Sequence, residues 1–131
     1  MSADASRYQA FTISITPFAE DGSIDEAKLR RHLSKLGDAG IGVYVGGGGS
    51  GEGYTLSADE TKRLLNIAVE ELKGRAPIRA MGVEPRTARQ MIDFLDMAAE
   101  AGVDAAQVYS LDVGHGHVPT PRELDAYFSE V

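Results

Sequence analysis

Residues 42–56, GVYVGGGGSGEGYTL, carry a short apolar strand that empties into six residues, 46–51, of which five are glycine. So much glycine is costly in conformational entropy. It suits a place where backbone turns sharply and offers its N–H groups to a bound anion. On one side the apolar run 41–45 reads as a buried strand. On the other, Ser57-Ala58-Asp59-Glu60 is an S-x-x-E capping box, and Leu65, Val69 and Leu72 then recur on one helical face until Gly74. The stretch therefore reads as strand, glycine loop, helix, with the loop at the strand's C-terminal end.

The same unit repeats along the chain. Residues 10–16 (AFTISIT) form a β-branched strand stopped by Pro17, and Ser23-Ile24-Asp25-Glu26 offers a capping box for a helix carrying Leu29, Leu33 and Leu36 up to Gly40. A third strand is expected over 78–82. Thr87 then caps a helix whose Met91, Leu95 and Ala98 fall at core spacing before Gly102. A fourth strand covers 105–110, and Thr120-Pro121-Arg122-Glu123 combines a capping box with proline at the first helical position. Strict β-α alternation at roughly 30-residue intervals implies a parallel sheet. Two architectures meet it, an open doubly wound sheet or part of a (β/α)8 barrel. A full barrel takes about 250 residues, so residues 1–131 would form one domain holding about half of one, some four βα units. Both architectures bind ligands at the C-terminal strand ends, where the glycine loop lies.

Composition narrows the partners. With 43% hydrophobic and 25% charged residues the chain has the make-up of a globular domain. Its net charge of −7 opposes nucleic acid and anionic membranes, which demand clustered Lys and Arg. The absence of cysteine removes disulfides, thiolate nucleophiles and sulfur-ligated metals. The first ten residues, MSADASRYQA, have neither a basic nor an apolar targeting segment, and no stretch approaches ~20 apolar residues. A cytoplasmic protein is expected.

Gly46, Gly48 and Gly51 satisfy G-x-G-x-x-G literally, yet EGYTLS separates them from the helix cap, and the third strand is followed by Val83 rather than by an acid that could hold a ribose. Glu52 stands where a phosphate-binding P-loop requires lysine. Nucleotide binding is therefore not expected; a purely structural turn and a carboxylate cradle remain.

Thr16-Pro17-Phe18, Asp21-Gly22, Ile24-Asp25, Gly48-Gly49-Ser50-Gly51-Glu52, Thr55-Leu56 and Glu60 resemble, in order and spacing, the N-terminal half of the dihydrodipicolinate synthase and N-acetylneuraminate lyase family. The resemblance continues through Met81-Gly82-Val83, Thr87-Ala88 and Ala101-Gly102-Val103-Asp104-Ala105. It implies a class I aldolase-type (β/α)8 barrel without cofactor or metal, in which the glycine loop grips the carboxylate of pyruvate or another 2-keto acid. A lysine then attacks the ketone to form a Schiff base. Mapped onto this chain, the carboxylate falls to Gly49, Ser50 and Gly51. Ser50 keeps the family's second hydroxyl, and Gly49 lacks the first. The resemblance also implies an oligomer.

Two further features depart from the family. After the fourth strand the synthases carry T-P-Y-Y-N, whereas this chain reads Ser110-Leu111-Asp112-Val113-Gly114-His115-Gly116-His117. Tyr109 and Asp112 become pocket candidates, against a packed core residue and a turn-capping aspartate respectively. His115 and His117 share the H-x-H spacing of an acid/base pair or metal ligands, against simple exposure in a glycine-rich loop. Finally, the Schiff-base lysine of strand six and the tyrosine of strand five have no counterpart. Lys28, Lys35, Lys62 and Lys73 all fall on the polar faces of expected helices. Two readings follow. The chain is the N-terminal portion of a lyase, active once strands five to eight are supplied, or it is a non-catalytic half-barrel that binds keto acids or oligomerises.

Overall fold

The structure, a computed structural model, describes residues 9–114 and 116–131. Strands and helices alternate along them as β1 (Phe11–Ile13), α1 (Glu26–Asp38), β2 (Gly42–Val45), α2 (Ala58–Leu72), β3 (Ile78–Ala80), α3 (Ala88–Ala101), β4 (Ala105–Ala106) and α4 (Pro121–Glu130). A short 3-10 turn, Gly53–Thr55, leads from the glycine loop towards α2. All strand pairs are parallel and the sheet order is the chain order, with Ile13 beside Tyr44, Tyr44 beside Arg79 and Arg79 beside Ala105.

That order decides between the two architectures. A doubly wound sheet reverses its strand order and carries helices on both faces; a barrel winds one way with its helices outside. Here Val43 and Val45 of β2 and Ile78 and Ala80 of β3 are fully buried in one cluster with Leu29 and Leu33 of α1, five α2 residues and Ala98 of α3. Consecutive helices pack side by side over that face. The fold is an α/β partial barrel. Each fully buried leucine contributes about 2 kcal/mol to this layer.

Side-chain oxygens start the helices as the spacing predicts. Ser57 and Glu60 exchange both capping-box bonds at 3.2 and 2.8 Å, Thr120 and Glu123 do the same with Pro121 at the first turn, and Thr87 caps α3. The first helix departs from expectation. Its N-cap is Asp25, whose carboxylate accepts from the Lys28 amide at 2.9 Å, while Ser23 bonds instead to Asp21. An antiparallel bridge between Phe18 and Ile24 explains the shift, because it holds the chain extended until just before Asp25. In α3 the buried stripe runs through Met91 and Ala98 with Phe94 and Met97 packed on the core, leaving Leu95 half-buried. The strands are also shorter than the apolar runs suggest. Backbone pairing nevertheless continues past β1 and β3, from the Ser14 amide to Tyr44 and from the Met81 amide to Val45.

One buried side-chain polar atom lacks a partner among the described residues, Nε2 of His32 on α1. Burial, and secondarily the charge of Lys35, lowers the His32 pKa below its ordinary 6.5. A histidine depressed in the fold binds its proton more readily unfolded. Its contribution is thus fully present above about pH 6.5 and is lost as pH falls through the lowered native value. Glu26, lowered first by its hydrogen bond from Arg63, follows in the same direction only below its ordinary 4.5. Thermal melts across this range should show His32→Leu flattening the upper acid slope and leaving the carboxylate-driven lower one; equal slopes in both proteins would exclude His32 as the cause.

The other face of the sheet carries Phe11, Ile13, Tyr44 and Arg79. Ile13 and Ile15 are 40% and 50% exposed there, while the intervening Ser14 and neighbouring Thr16 are buried. Among the described residues no helix is long and apolar enough to cross a membrane.

Candidate functional site

The glycine loop leaves the C-terminal end of β2 and closes on itself twice. The Glu52 amide donates to the Gly49 carbonyl at 2.9 Å, making a β-turn with Ser50 and Gly51 at its tip, and the Gly53 amide donates to the Gly47 carbonyl at 2.9 Å. Two positions require glycine for space alone. A Cβ on Gly51 would lie 2.7 Å from the Gly47 nitrogen, and one on Gly53 would lie 2.2 Å from the Gly46 carbonyl oxygen. Glu52 takes the left-handed conformation, φ 57°, which a non-glycine residue holds only where its surroundings impose it.

Thr16 ties this turn to the end of β1, its hydroxyl donating to the Gly51 carbonyl at 2.7 Å in a buried setting. Met81 and Ile13 lie directly beneath Gly47. The result is a rigid turn whose tip points outward: Gly49 and Ser50 are exposed, Gly51 is buried, and the amides of Gly49 and Ser50 have no partner among the described residues. Of the three expected carboxylate-binding residues, Gly49 and Ser50 combine exposure with unpartnered amides, whereas Gly51 is buried. Gly51 serves the turn's geometry.

A second group of side chains gathers at the same end of the sheet. The Tyr54 ring packs against Gly48, and its hydroxyl donates to the Glu84 carboxylate. That bond, followed by burial and the negative charges of Glu84 and Asp112, pushes the Tyr54 pKa up to about 12, so Tyr54 stays a neutral phenol at physiological pH. Burial, then Glu84, also raises the pKa of Tyr109, whose carbonyl accepts the Tyr127 hydroxyl at 2.6 Å. Asp112 accepts from the Gly114 amide at 2.7 Å and lies 4.0 Å from the Arg86 guanidinium. Tyr54, Glu84, Arg86 and Asp112 line an open cleft. Behind the loop a separate cleft of about 330 Å³ lies between α2 and α3, mostly apolar, with Leu56, Phe94 and Met97 in its wall.

The structure thus brings Tyr109 and Asp112 together near the glycine loop, Asp112 in both of its expected guises, as a cleft wall and a turn cap. His117 stands apart, 63% exposed and 3.8 Å from Glu123 at the start of α4. His115 lies outside the described residues. Among the described residues no three His, Cys, Asp or Glu side chains are grouped to hold a metal ion.

Three contributors were not anticipated. Thr16 stood in a quoted motif without a role, although a hydroxyl just past a strand end is a natural tether for a neighbouring loop. Glu84 follows Val83, one residue beyond the end of the third apolar run. Tyr54 lies in the EGYTLS segment between the glycines and the helix cap.

The four lysines are all exposed. Lys28 pairs with Asp25 at 2.8 Å, Lys62 with Glu100 at 2.9 Å, Lys73 at the end of α2 donates to the Gly102 carbonyl at 2.7 Å, and Lys35 sits in the last turn of α1.

Comparison with known proteins agrees with this architecture. Residues 7–131 match the sequence profile described as the dihydrodipicolinate synthetase family. A 4-hydroxy-tetrahydrodipicolinate synthase of Nitratidesulfovibrio vulgaris is 40% identical over 122 residues, covering 93% of this chain and 40% of the relative. The synthase of Bradyrhizobium diazoefficiens is 36% identical over 131 residues, covering all of this chain and 43% of its own. Among solved structures, dihydrodipicolinate synthase from Bacillus clausii superposes with a TM-score of 0.79 at 31% identity, over 93% of this chain and 40% of that one. YagE, a prophage protein of the same family from E. coli K12 solved in complex with pyruvate, gives 0.79 at 25% identity, over 95% and 41%. This chain therefore spans about 40% of the length of the synthase relatives it matches. Profile, relatives and strand order agree over nearly its whole length, and the chain belongs to the dihydrodipicolinate synthetase family.

Proposed function

We propose that this chain is the substrate-gripping N-terminal portion of a Schiff-base-forming lyase acting on pyruvate or another 2-keto acid, its carboxylate held by Ser50 and the turn around it. The observation that carries the reading is the outward tip at Gly49 and Ser50, two amides and a hydroxyl fixed by the Thr16 tether at the C-terminal end of the sheet. Donors held in place before the ligand arrives bind an anion without reorganising, and charge-assisted bonds to a carboxylate are the stronger kind. The pyruvate complex of YagE supports the ligand class.

The attacking amine comes from outside this chain. Its lysines lie exposed on the helices, where an ammonium keeps its water and its charge, and a Schiff-base lysine needs a depressed pKa. The chain alone is accordingly inactive, and strands that close the barrel supply the nucleophile. A cysteine-free, acidic chain fits a reducing cytoplasmic setting.

Pyruvate titrated into the labelled chain is expected to shift the amide resonances of Gly49, Ser50 and Gly51. Ser50→Ala should weaken the apparent affinity about tenfold, the loss of one charge-assisted hydrogen bond. Shifts confined to other regions, or an unchanged affinity in the variant, would overturn the assignment.

A further inference from the structure

The face of the sheet turned away from the helices carries Arg79, a charge that meets no carboxylate among the described residues. Arg79 donates to the Tyr44 hydroxyl at 2.6 Å, and its guanidinium lies 4.0 Å above the centre of the Phe11 ring. Arg30, Arg63, Arg75 and Arg89 each meet a carboxylate within 2.8 Å on the helical side. Arg79 has none within ion-pair distance among the described residues, and its neighbours on the face are Phe11, Tyr44, Ala105 and Gln107.

Its direction separates it from the glycine loop. Arg79 is level with Ile13 and Tyr44 and reaches towards Phe11, at the start of β1, whereas Met81, further along the same face, lies between that layer and Gly47. A keto acid at Ser50 does not meet it. A cavity of about 130 Å³ beside Arg79, lined by Tyr44, Ala105 and Gln107, leaves room for a short side chain arriving from the open side.

We propose that this face is built to receive a polypeptide sheet face that places a carboxylate opposite Arg79, namely the strands that complete the barrel, and that Arg79 disfavours closure by a second copy of this chain. The proposal rests on the reading above that the nucleophile-bearing strands come from outside residues 1–131, and the share of the relatives left unspanned is long enough to provide them. In an eight-stranded barrel the side chains of alternate strands meet in one layer. A second copy would set its own third strand in the seventh position and bring two guanidinium groups into that layer, where water is scarce and like charges repel strongly. A carboxylate in the same place gains an ion pair that Tyr44 and Phe11 already orient.

Equilibrium sedimentation of the 131-residue chain reads this preference directly. Arg79→Met should self-associate about tenfold more tightly than the wild type, and Arg79→Lys should behave like the wild type. An equimolar mixture of wild type and Arg79→Glu should associate about tenfold more tightly than either protein alone. Should Arg79→Glu fail to fold by circular dichroism, the Met and Lys variants decide between charge and shape. Equal association of wild type and Arg79→Met, or no preference in a mixture of folded partners, would overturn the proposal. Because association is read without pyruvate, loss of the ligand response at Ser50 with the pairing preference intact would count against the loop assignment alone.

Discussion

Gly53→Ala is expected to destabilise the chain by about 3 kcal/mol, roughly 10 °C in Tm, and to abolish the response of the Ser50 amide to pyruvate. The added methyl would sit 2.2 Å from the Gly46 carbonyl oxygen and 2.9 Å from a Val83 methyl group. The nearer obstacle is backbone, so no rotamer change relieves it. The loop would have to open, breaking the bond from the Gly53 amide to Gly47 that closes it. Gly49→Ala is the internal control: a Cβ there meets nothing within 4 Å, and the change should stay within about 0.5 kcal/mol. Thermal melts of the two variants beside the wild type make the comparison. Equal melting of Gly53→Ala and wild type would show that the turn is not closed as described.

The contrast between these two glycines also marks what could be read from the sequence. Five glycines in a row of six announced a special backbone, and local order placed it at a strand end. Which glycine is compulsory depends on where the loop folds back, through bonds that sequence spacing does not encode. Helix starts were legible at Ser57, Thr87 and Thr120 because a cap and its partner lie within three residues. At α1 the Ser23-to-Glu26 pattern is not used, because a bridge from Phe18 to Ile24 moves the cap to Asp25. Alternation implied a parallel sheet but left two strand orders open, and the one-way order with its buried outer face became visible only in the fold. The candidate site was legible only where it is one contiguous segment. Thr16 reaches Gly51 across 35 positions and Tyr54 reaches Glu84 across 30, each joining two loops that meet only after the sheet has formed. Arg79 sat in an apolar-looking strand, and only the register with Tyr44 and Phe11 reveals a charge left open on the inner face.

The proposed division of labour between this chain and the strands that would complete the barrel yields an all-or-none expectation. Forming a Schiff base requires an unprotonated amine within reach of the bound ketone, held in a dry pocket. Lys28 and Lys62 are engaged by carboxylates, and the Lys62 pKa is raised by its hydrogen bond to Glu100. Lys73 is tied to the Gly102 carbonyl at the end of α2, and Lys35 is exposed at the end of α1. All four are exposed, and none has the dry surroundings that a Schiff-base amine needs. On the proposed function, the carboxylate grip and the amine are carried by different parts of the barrel. The direct measurement is borohydride reduction in the presence of pyruvate followed by the intact mass of the chain. The account predicts an unchanged mass, and a stoichiometric reduced-pyruvate adduct on Lys28, Lys35, Lys62 or Lys73 would contradict it.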